Sequence, residues 1–163
     1  MSRRLMQAAI VFVAVVAAAQ LVRPQRANPP TDPSRTIQAH AGTASGLATV
    51  LDRSCGDCHS NATAWSSWYT QVAPLSWLMA HEVAEGRKAV NFSEWAAYSP
   101  AQQRMLLAVS CDDAKSGKMP GPYTFFKPET RLSSEEVKTI CEAARQADAH
   151  AAGASRSRLK LRN

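Results

Sequence analysis

The sequence has few of the features that are typical of a β-sheet protein or a repeat protein. Aromatic residues make up only 7% of the 163 residues, and the one strand-like run, residues 123–126, is short and flanked by prolines. No segment repeats along the chain, which excludes solenoid and propeller architectures. The hydrophobic fraction of 45% is ordinary, which excludes a wholly disordered chain. The chain therefore has the size of one globular domain with terminal extensions.

Positive charge is scarce in the part of the chain that is expected to fold. The formal net charge is +6, yet residues 41–150 carry ten basic and twelve acidic side chains. The basic excess lies in residues 1–40 and 151–163. A protein that reads nucleic acid places its positive charge on the folded surface, so we predict no nucleic-acid partner.

The N-terminus carries a long apolar run. Arg3 and Arg4 precede residues 5–22, in which two glutamines are the only interruptions. A helix over this run would be about 27 Å long, close to the ~30 Å hydrocarbon core of a bilayer. A positive region before an apolar run is typical of export signals. The alanines at 17–19 offer a cleavage site, but the run continues past them. We therefore predict a retained transmembrane anchor at residues 1–22.

The remainder of the chain divides into three segments. Prolines among polar residues predict an extended spacer at residues 23–42. Helical periodicity follows at residues 43–150, and residues 151–163 are predicted to form a basic, disordered tail. The helices are expected from 47 to near Arg53, from 75 to near Gly86, from Pro100 to Gly117, and after the capping box at 133–136. The fold class is therefore all-α, with four to five helices.

One motif carries recognisable chemistry. Residues 55–59 spell Cys-Gly-Asp-Cys-His, the C-x-x-C-H pattern that attaches c-type haem. Thiols at this spacing, here Cys55 and Cys58, can add to the two vinyl groups of one haem. The next residue, His59, then supplies the proximal imidazole to the iron. The motif follows an export signal and begins a segment rich in aromatic residues, so we predict one haem c per chain.

Three other interpretations of the motif are weaker. A disulfide between Cys55 and Cys58 would close a tight, strained loop and leave His59 without a role. A thioredoxin-like redox pair needs a βαβ context, and strand signals are scarce. A zinc site needs two further ligands. Cys111 and Cys141 could supply them, but they fall on separate predicted helices.

The second axial ligand is sought among the methionines and histidines. Met79 and Met105 fall on the apolar faces of predicted helices, where methionine is usually packing material. Met119 lies in the Gly-Lys-Met-Pro-Gly-Pro segment at 117–122, where no apolar periodicity explains it. A thioether opposite histidine stabilises ferrous iron. We therefore predict Met119 as the distal ligand, with His81 as the alternative.

Several short motifs, none specific alone, are specific together. They are Val22-Arg23-Pro24, Asn28-Pro29-Pro30, Cys55-Gly56-Asp57-Cys58-His59-Ser60-Asn61, Ala73-Pro74-Leu75-Ser76-Trp77, Glu85-Gly86-Arg87, Asn91-Phe92-Ser93-Glu94-Trp95, Tyr98-Ser99-Pro100, Met119-Pro120 and Leu132-Ser133. Over roughly residues 22–145, the chain resembles the small bacterial haem-binding domain family of cytochrome c type. The resemblance implies an exported, membrane-tethered mono-haem domain with histidine and methionine ligation.

The two remaining cysteines look like an addition to the family pattern. Cys111 and Cys141 flank the Met119 segment, one on each neighbouring predicted helix. Outside the cytoplasm a disulfide is the natural expectation. It would close a loop of about 30 residues and contribute about 3–4 kcal/mol in the chain-entropy model. Two unpaired, buried thiols are the alternative.

Haem propionates need hydrogen-bond donors. Arg87, Trp95 and Tyr98 are candidates by residue type alone. The alternative is that the arginine is a helix-end charge and that both aromatic residues belong to the core.

The expected function follows from the state of the distal position. A closed position predicts an electron carrier that serves membrane redox proteins, and neither catalysis nor a small-molecule substrate is expected. An open position would favour a gas or redox sensor or a weak peroxidase, and a haem-bearing subunit of a larger membrane complex is a third alternative. Haem attachment takes place outside the cytoplasm, so the resemblance to c-type cytochromes implies a single-pass protein of the bacterial inner membrane, with residues 23–163 in the periplasm.

Overall fold

The computed structural model describes residues 2–40 and 46–160, with side chains described as far as residue 153. These residues form helices and no strands, as the all-α prediction requires. The helices are α1 (Arg3–Ala19), α2 (Ile37–His40), α3 (Leu47–His59), α4 (Leu75–Ala89), α5 (Pro100–Ser116) and α6 (Ser134–Lys160). Short 3-10 segments lie between them, at Pro33–Arg35, Trp68–Thr70, Phe92–Ala97, Gly121–Phe125 and Pro128–Thr130.

The hydrophobic core is built around α3. Leu47, Val50 and Leu51 recur at the spacing of one helical face, and all three are buried. This face packs against side chains from four other parts of the fold: Ile37, Phe92, Trp95, Leu107 and Ile140. α3 therefore occupies the centre of the domain, in contact with both α4 and α6.

The helices α5 and α6 form a pair that is closed covalently. Each begins at a capping box, in which Ser99 and Ser133 exchange hydrogen bonds with the residue three positions later. α5 ends at Gly117, whose φ of 72° is the left-handed conformation that favours glycine. A disulfide joins Cys111 of α5 to Cys141 of α6, the pairing expected outside the cytoplasm. These helix ends match the sequence patterns because local capping chemistry sets them.

Two helices run further than the sequence predicts. α3 continues past Arg53 to His59, so the whole C-x-x-C-H motif is helical. α4 passes through Gly86 and ends at Ala89. Ser54 is buried, which shows that the end of α3 belongs to the interior rather than to a loop. Gly86 is buried as well, so it marks a close packing contact and not the end of a helix.

The proline-rich residues 23–42 do not act as a free spacer. Ile37 is only 1% exposed and belongs to the core. Asn28 donates to the carbonyl of Thr63 at 3.0 Å. Residues 23–32 form no helix or strand, and they are bound along the domain. The predicted boundary at residues 42 and 43 lies outside the described residues.

The two ends of the chain also differ from expectation. α1 has 17 residues and no buried side chain. Among the described residues, none of the helices combines the length and the apolar character that crossing a membrane requires. The span predicted for residues 1–22 is therefore unsupported. At the other end, α6 continues to Lys160, so much of the tail predicted to be disordered at 151–163 has a helical backbone. Alanine, arginine and lysine are good helix formers and let the helix continue beyond the packed part.

Candidate haem site

The C-x-x-C-H motif occupies the last turns of α3. Cys58 lies three positions after Cys55, and His59 lies four positions after it. In a helix these spacings place all three side chains on one face. The motif thus presents two thiols and an imidazole together. Helical geometry supplies this arrangement without any loop.

The imidazole of His59 is oriented by the end of α4. Its Nδ1 lies 2.9 Å from the carbonyl oxygen of Gly86 and 3.3 Å from that of Val90. Carbonyl oxygens only accept hydrogen bonds, so Nδ1 must carry the proton and donate it. The other nitrogen, Nε2, then keeps a lone pair that can bind a metal.

The protonation state of His59 fits this role. Burial lowers the pKa of His59, while the carbonyls of Val90 and Gly86 and the charge of Asp113 act in the opposite direction without cancelling the effect. A lowered pKa keeps the imidazole neutral near pH 7. Neutral imidazole is the form that binds iron.

Gly86 lets α4 approach the motif closely. A Cβ at this position would lie 2.5 Å from the backbone oxygen of Cys58 and 3.2 Å from its side chain. Real side chains do not tolerate such a contact, so the two helices could not pack this closely with any other residue. The same approach brings the Gly86 carbonyl within reach of His59.

The two thiols of the motif are reduced and largely shielded from water. Burial raises the pKa of Cys55 to about 11. Burial, helped by the charges of Asp57 and Glu82, raises the pKa of Cys58 to about 12. Both cysteines are free thiols in the structure. Reactive redox cysteines have lowered pKa values, so these thiols do not fit a thioredoxin-like pair.

The structure removes Cys111 and Cys141 as additional ligands for a zinc site. Cys111 and Cys141 are bonded to each other, so neither is available to a metal bound at Cys55 and Cys58. In the described part of the chain, no group of three or more histidine, cysteine or acidic side chains is arranged to hold a metal ion. A c-type haem needs no such group, because its iron takes one imidazole from the motif.

Asp57, between the two cysteines, connects the motif to the segment that follows Met119. Its Oδ2 accepts hydrogen bonds from the Tyr123 hydroxyl at 2.7 Å and from Lys127 Nζ at 2.6 Å. Its Oδ1 accepts one from the amide of Ala64 at 2.9 Å. Burial alone would raise the pKa of Asp57, but these three donors outweigh burial and hold the pKa below its usual value. The carboxylate is therefore charged and fully engaged.

Met119 lies in the loop after α5, outside the hydrophobic core. Its side chain is 39% exposed, and its amide donates to the carbonyl of Asp113 at 3.2 Å. That bond fixes the start of the loop, and Asp57 fixes its far end. His81, the alternative ligand, is exposed on α4.

The guanidinium of Arg87 forms hydrogen bonds to other groups of the protein. It donates to the carbonyls of Ser60 and Ala27 and to the side chains of Asn28 and Thr63, at 2.7 to 2.9 Å. These bonds use four of its five N–H groups. The structure therefore places Arg87 between the N-terminal segment and the residues after His59, which leaves little capacity for a propionate.

The two aromatic candidates belong to the core. Trp95 is 3% exposed and lies between the rings of Phe92 and Tyr98, with centroids 6.3 and 5.8 Å away. The hydroxyl of Tyr98 accepts a hydrogen bond from the amide of Asn91 at 2.9 Å. Phe92 in turn lies 6.0 Å from the His59 ring. The rings of Tyr98, Trp95 and Phe92 therefore form a row that ends beside the His59 imidazole.

Sequence reasoning missed Gly86 and Asp57 as parts of the site. A glycine inside a helical pattern can mark a close backbone approach, and that signal was present at Gly86. A charged residue inside the C-x-x-C spacing had no assigned partner. Its partners at 123 and 127 are distant in sequence, so only the fold identifies them.

Comparison with known proteins agrees with this site. A family model described as a haem-binding domain matches residues 14–146, which is most of the chain. No curated protein and no solved structure matches it. The matched region contains α3, the motif and the Met119 loop, and the match confirms the family resemblance. The chain therefore belongs to the haem-binding domain family.

Proposed function

We propose that this protein is a mono-haem c-type cytochrome domain that carries electrons at a membrane. The observation that carries the proposal is the orientation of His59. Its Nδ1 is held by the carbonyls of Gly86 and Val90, which leaves Nε2 for an axial bond to iron. When bound, the haem would supply one reversible ferric–ferrous step at its iron.

The donor set supports covalent attachment. Cys55 and Cys58 are free thiols and have no other partner among the described residues. Each thiol would add across one vinyl group, so that sulfur bonds to one carbon and hydrogen to the other. Because both side chains lie on one face of α3, they would be able to reach the two vinyl groups of one bound haem.

We propose Met119 as the second axial ligand. Its loop is attached to the motif by Asp57 and to α5 by the Asp113 carbonyl. Its thioether is not used in the core, unlike that of Met79, which is buried. With both axial positions taken, no substrate could bind the iron, and electron transfer would be the remaining chemistry.

Membrane attachment is proposed through α1. Its apolar side chains are exposed, and none of its residues is buried against the described domain. Such a surface is unfavourable in water and favourable in lipid. We place the domain on the periplasmic side of the inner membrane, where it would exchange electrons with membrane redox proteins.

The test is the visible spectrum of the full chain, produced together with haem-attachment machinery. It is recorded in the oxidised state, in the reduced state, and in the reduced state with carbon monoxide. Sharp low-spin bands that carbon monoxide does not change, together with the weak ferric iron–thioether absorption, would support the carrier. A high-spin spectrum that carbon monoxide shifts would overturn the Met119 assignment and favour a sensor or peroxidase.

Matched methionine variants sharpen this test. Met119→Leu should remove the iron–thioether absorption and open the site to carbon monoxide. Met105→Leu, at another exposed methionine on α5, should leave both unchanged. If the two variants have the same spectrum, Met119 is not the distal ligand, and His81 becomes the candidate. Absence of covalently bound haem would overturn the proposal itself.

A further inference from the structure

Four apolar side chains are exposed close together along the chain. They lie on the 3-10 turn before α4, on the following loop and on the first turn of α4, and their exposed fractions range from 39% to 63%. We call them the collar: Trp68, Val72, Trp77 and Leu78.

Two residues of the collar segment, Ala73 and Trp77, bind the chain where α1 joins the domain. The amide of Ala73 donates to Gln20 Oε1 at 3.0 Å, and Gln20 Nε2 donates to the Ala73 carbonyl at 3.3 Å. Trp77 Nε1 donates to the Val22 carbonyl at 2.8 Å. The C-terminal end of the apolar helix is thus attached directly to the collar loop, with no slack chain between them.

Positive charge accompanies these residues. Arg26 donates to the carbonyl of Thr70 and to the side chain of Gln71, at 2.8 and 2.6 Å. Arg23 lies one residue after Val22 and is exposed. Tryptophan and arginine at the end of an apolar helix are the residues found at a membrane–water boundary.

We propose that the collar rests in the headgroup region of a phospholipid bilayer, so that the haem domain lies directly on the membrane surface. This inference rests on the membrane attachment proposed above. Lipid is favoured over a protein partner because the collar segment is hydrogen-bonded to the end of α1, whose apolar side chains are exposed, and because it lies beside cations that phosphate groups attract. Residues 23–32, bound along the domain, would not lift it off the surface.

The test uses photo-cross-linking in the full chain. A benzoylphenylalanine replaces Val72 or Leu78 in one variant each, and the protein is reconstituted into vesicles of phosphatidylethanolamine and phosphatidylglycerol. Trp77 is left intact because it binds Val22. The matched control replaces Val109, an apolar residue on α5 with the same 49% exposure as Leu78. After illumination, mass spectrometry measures phospholipid adducts.

Adducts at positions 72 and 78, with none above background at 109, are the expected result. Equal adducts at all three positions, or none at 72 and 78 in vesicle-bound protein, would overturn the collar. Cross-links to a protein in native membranes would assign the surface to that protein instead. A chain that does not float with vesicles would overturn the membrane attachment together with the collar. Haem content is measured separately, so loss of haem does not affect this readout.

Discussion

At the scale of single residues, Gly86 makes the clearest prediction. Gly86→Ala places a methyl group 2.5 Å from the Cys58 oxygen, so α3 and α4 must separate. We expect the free energy of unfolding to be about 1–3 kcal/mol lower than that of the parent chain, which is the usual effect of overpacking. Urea denaturation measures this. Gly153→Ala, a helical position with nothing within 4 Å, is the matched control and should be neutral or slightly stabilising.

Asp57 makes the second prediction at this scale. Asp57→Asn removes a charge that Lys127 and Tyr123 both bind, so the segment from 123 to 127 should loosen. We expect the free energy of unfolding to fall by about 1.5–3 kcal/mol, the range for hydrogen bonds to charged groups. Hydrogen exchange of the amides at 123–127 should accelerate selectively. Tyr123→Phe removes one of the three hydrogen bonds to the Asp57 carboxylate, together with the bond between the Tyr123 and Tyr69 hydroxyls, and it leaves the ion pair with Lys127 in place. It should have a smaller effect than Asp57→Asn, and equal effects would contradict the network.

At the scale of elements, the pairing of α5 with α6 depends on its disulfide. In the double variant Cys111→Ser, Cys141→Ser, the free energy of unfolding should fall by about 3–4 kcal/mol, because the disulfide closes a 30-residue loop. Urea midpoints measure the loss. Reduction of the parent chain should produce the same shift. A parent chain that stays at its original midpoint after verified reduction would show that the bond does not constrain the unfolded state.

At the scale of the whole molecule, the domain begins earlier than its composition indicates. Ile37 lies in the core, so a chain starting at residue 43 lacks a core side chain. Ile37→Ala in the full chain should cost about 2–5 kcal/mol, the usual effect of truncating a buried isoleucine. Thermal or urea unfolding measures it. Gln38→Ala, at the exposed neighbouring position, should change little.

Sequence reasoning succeeded where local chemistry decides the structure. The capping boxes at Ser99 and Ser133 and the stop at Gly117 depend on neighbours within a few residues, and each is found as predicted. The C-x-x-C-H motif is likewise local, and it is one of the short motifs on which the family resemblance rests. The residues that determine such features are close neighbours in the chain.

The same reasoning failed where distant packing decides. Met105 was expected on an apolar face but is exposed, because the position of α6 selects which face of α5 is covered. The proline-rich segment looked solvated, yet Arg87 and Asn28 bind it to the residues after His59. No pattern within the segment records those partners, Thr63 and Arg87, which follow α3 in the chain.

The shielding of Cys55 and Cys58 has a consequence for the covalent haem attachment proposed above. With thiol pKa values of about 11 and 12, the folded chain at neutral pH holds both sulfurs almost entirely in the unreactive form. Attachment chemistry that uses thiolates would therefore proceed faster on a chain that has not yet closed. The rate of folding would then set the time available for the proposed attachment. Alkylation of the haem-free protein at neutral pH should accordingly be far slower in buffer than in urea.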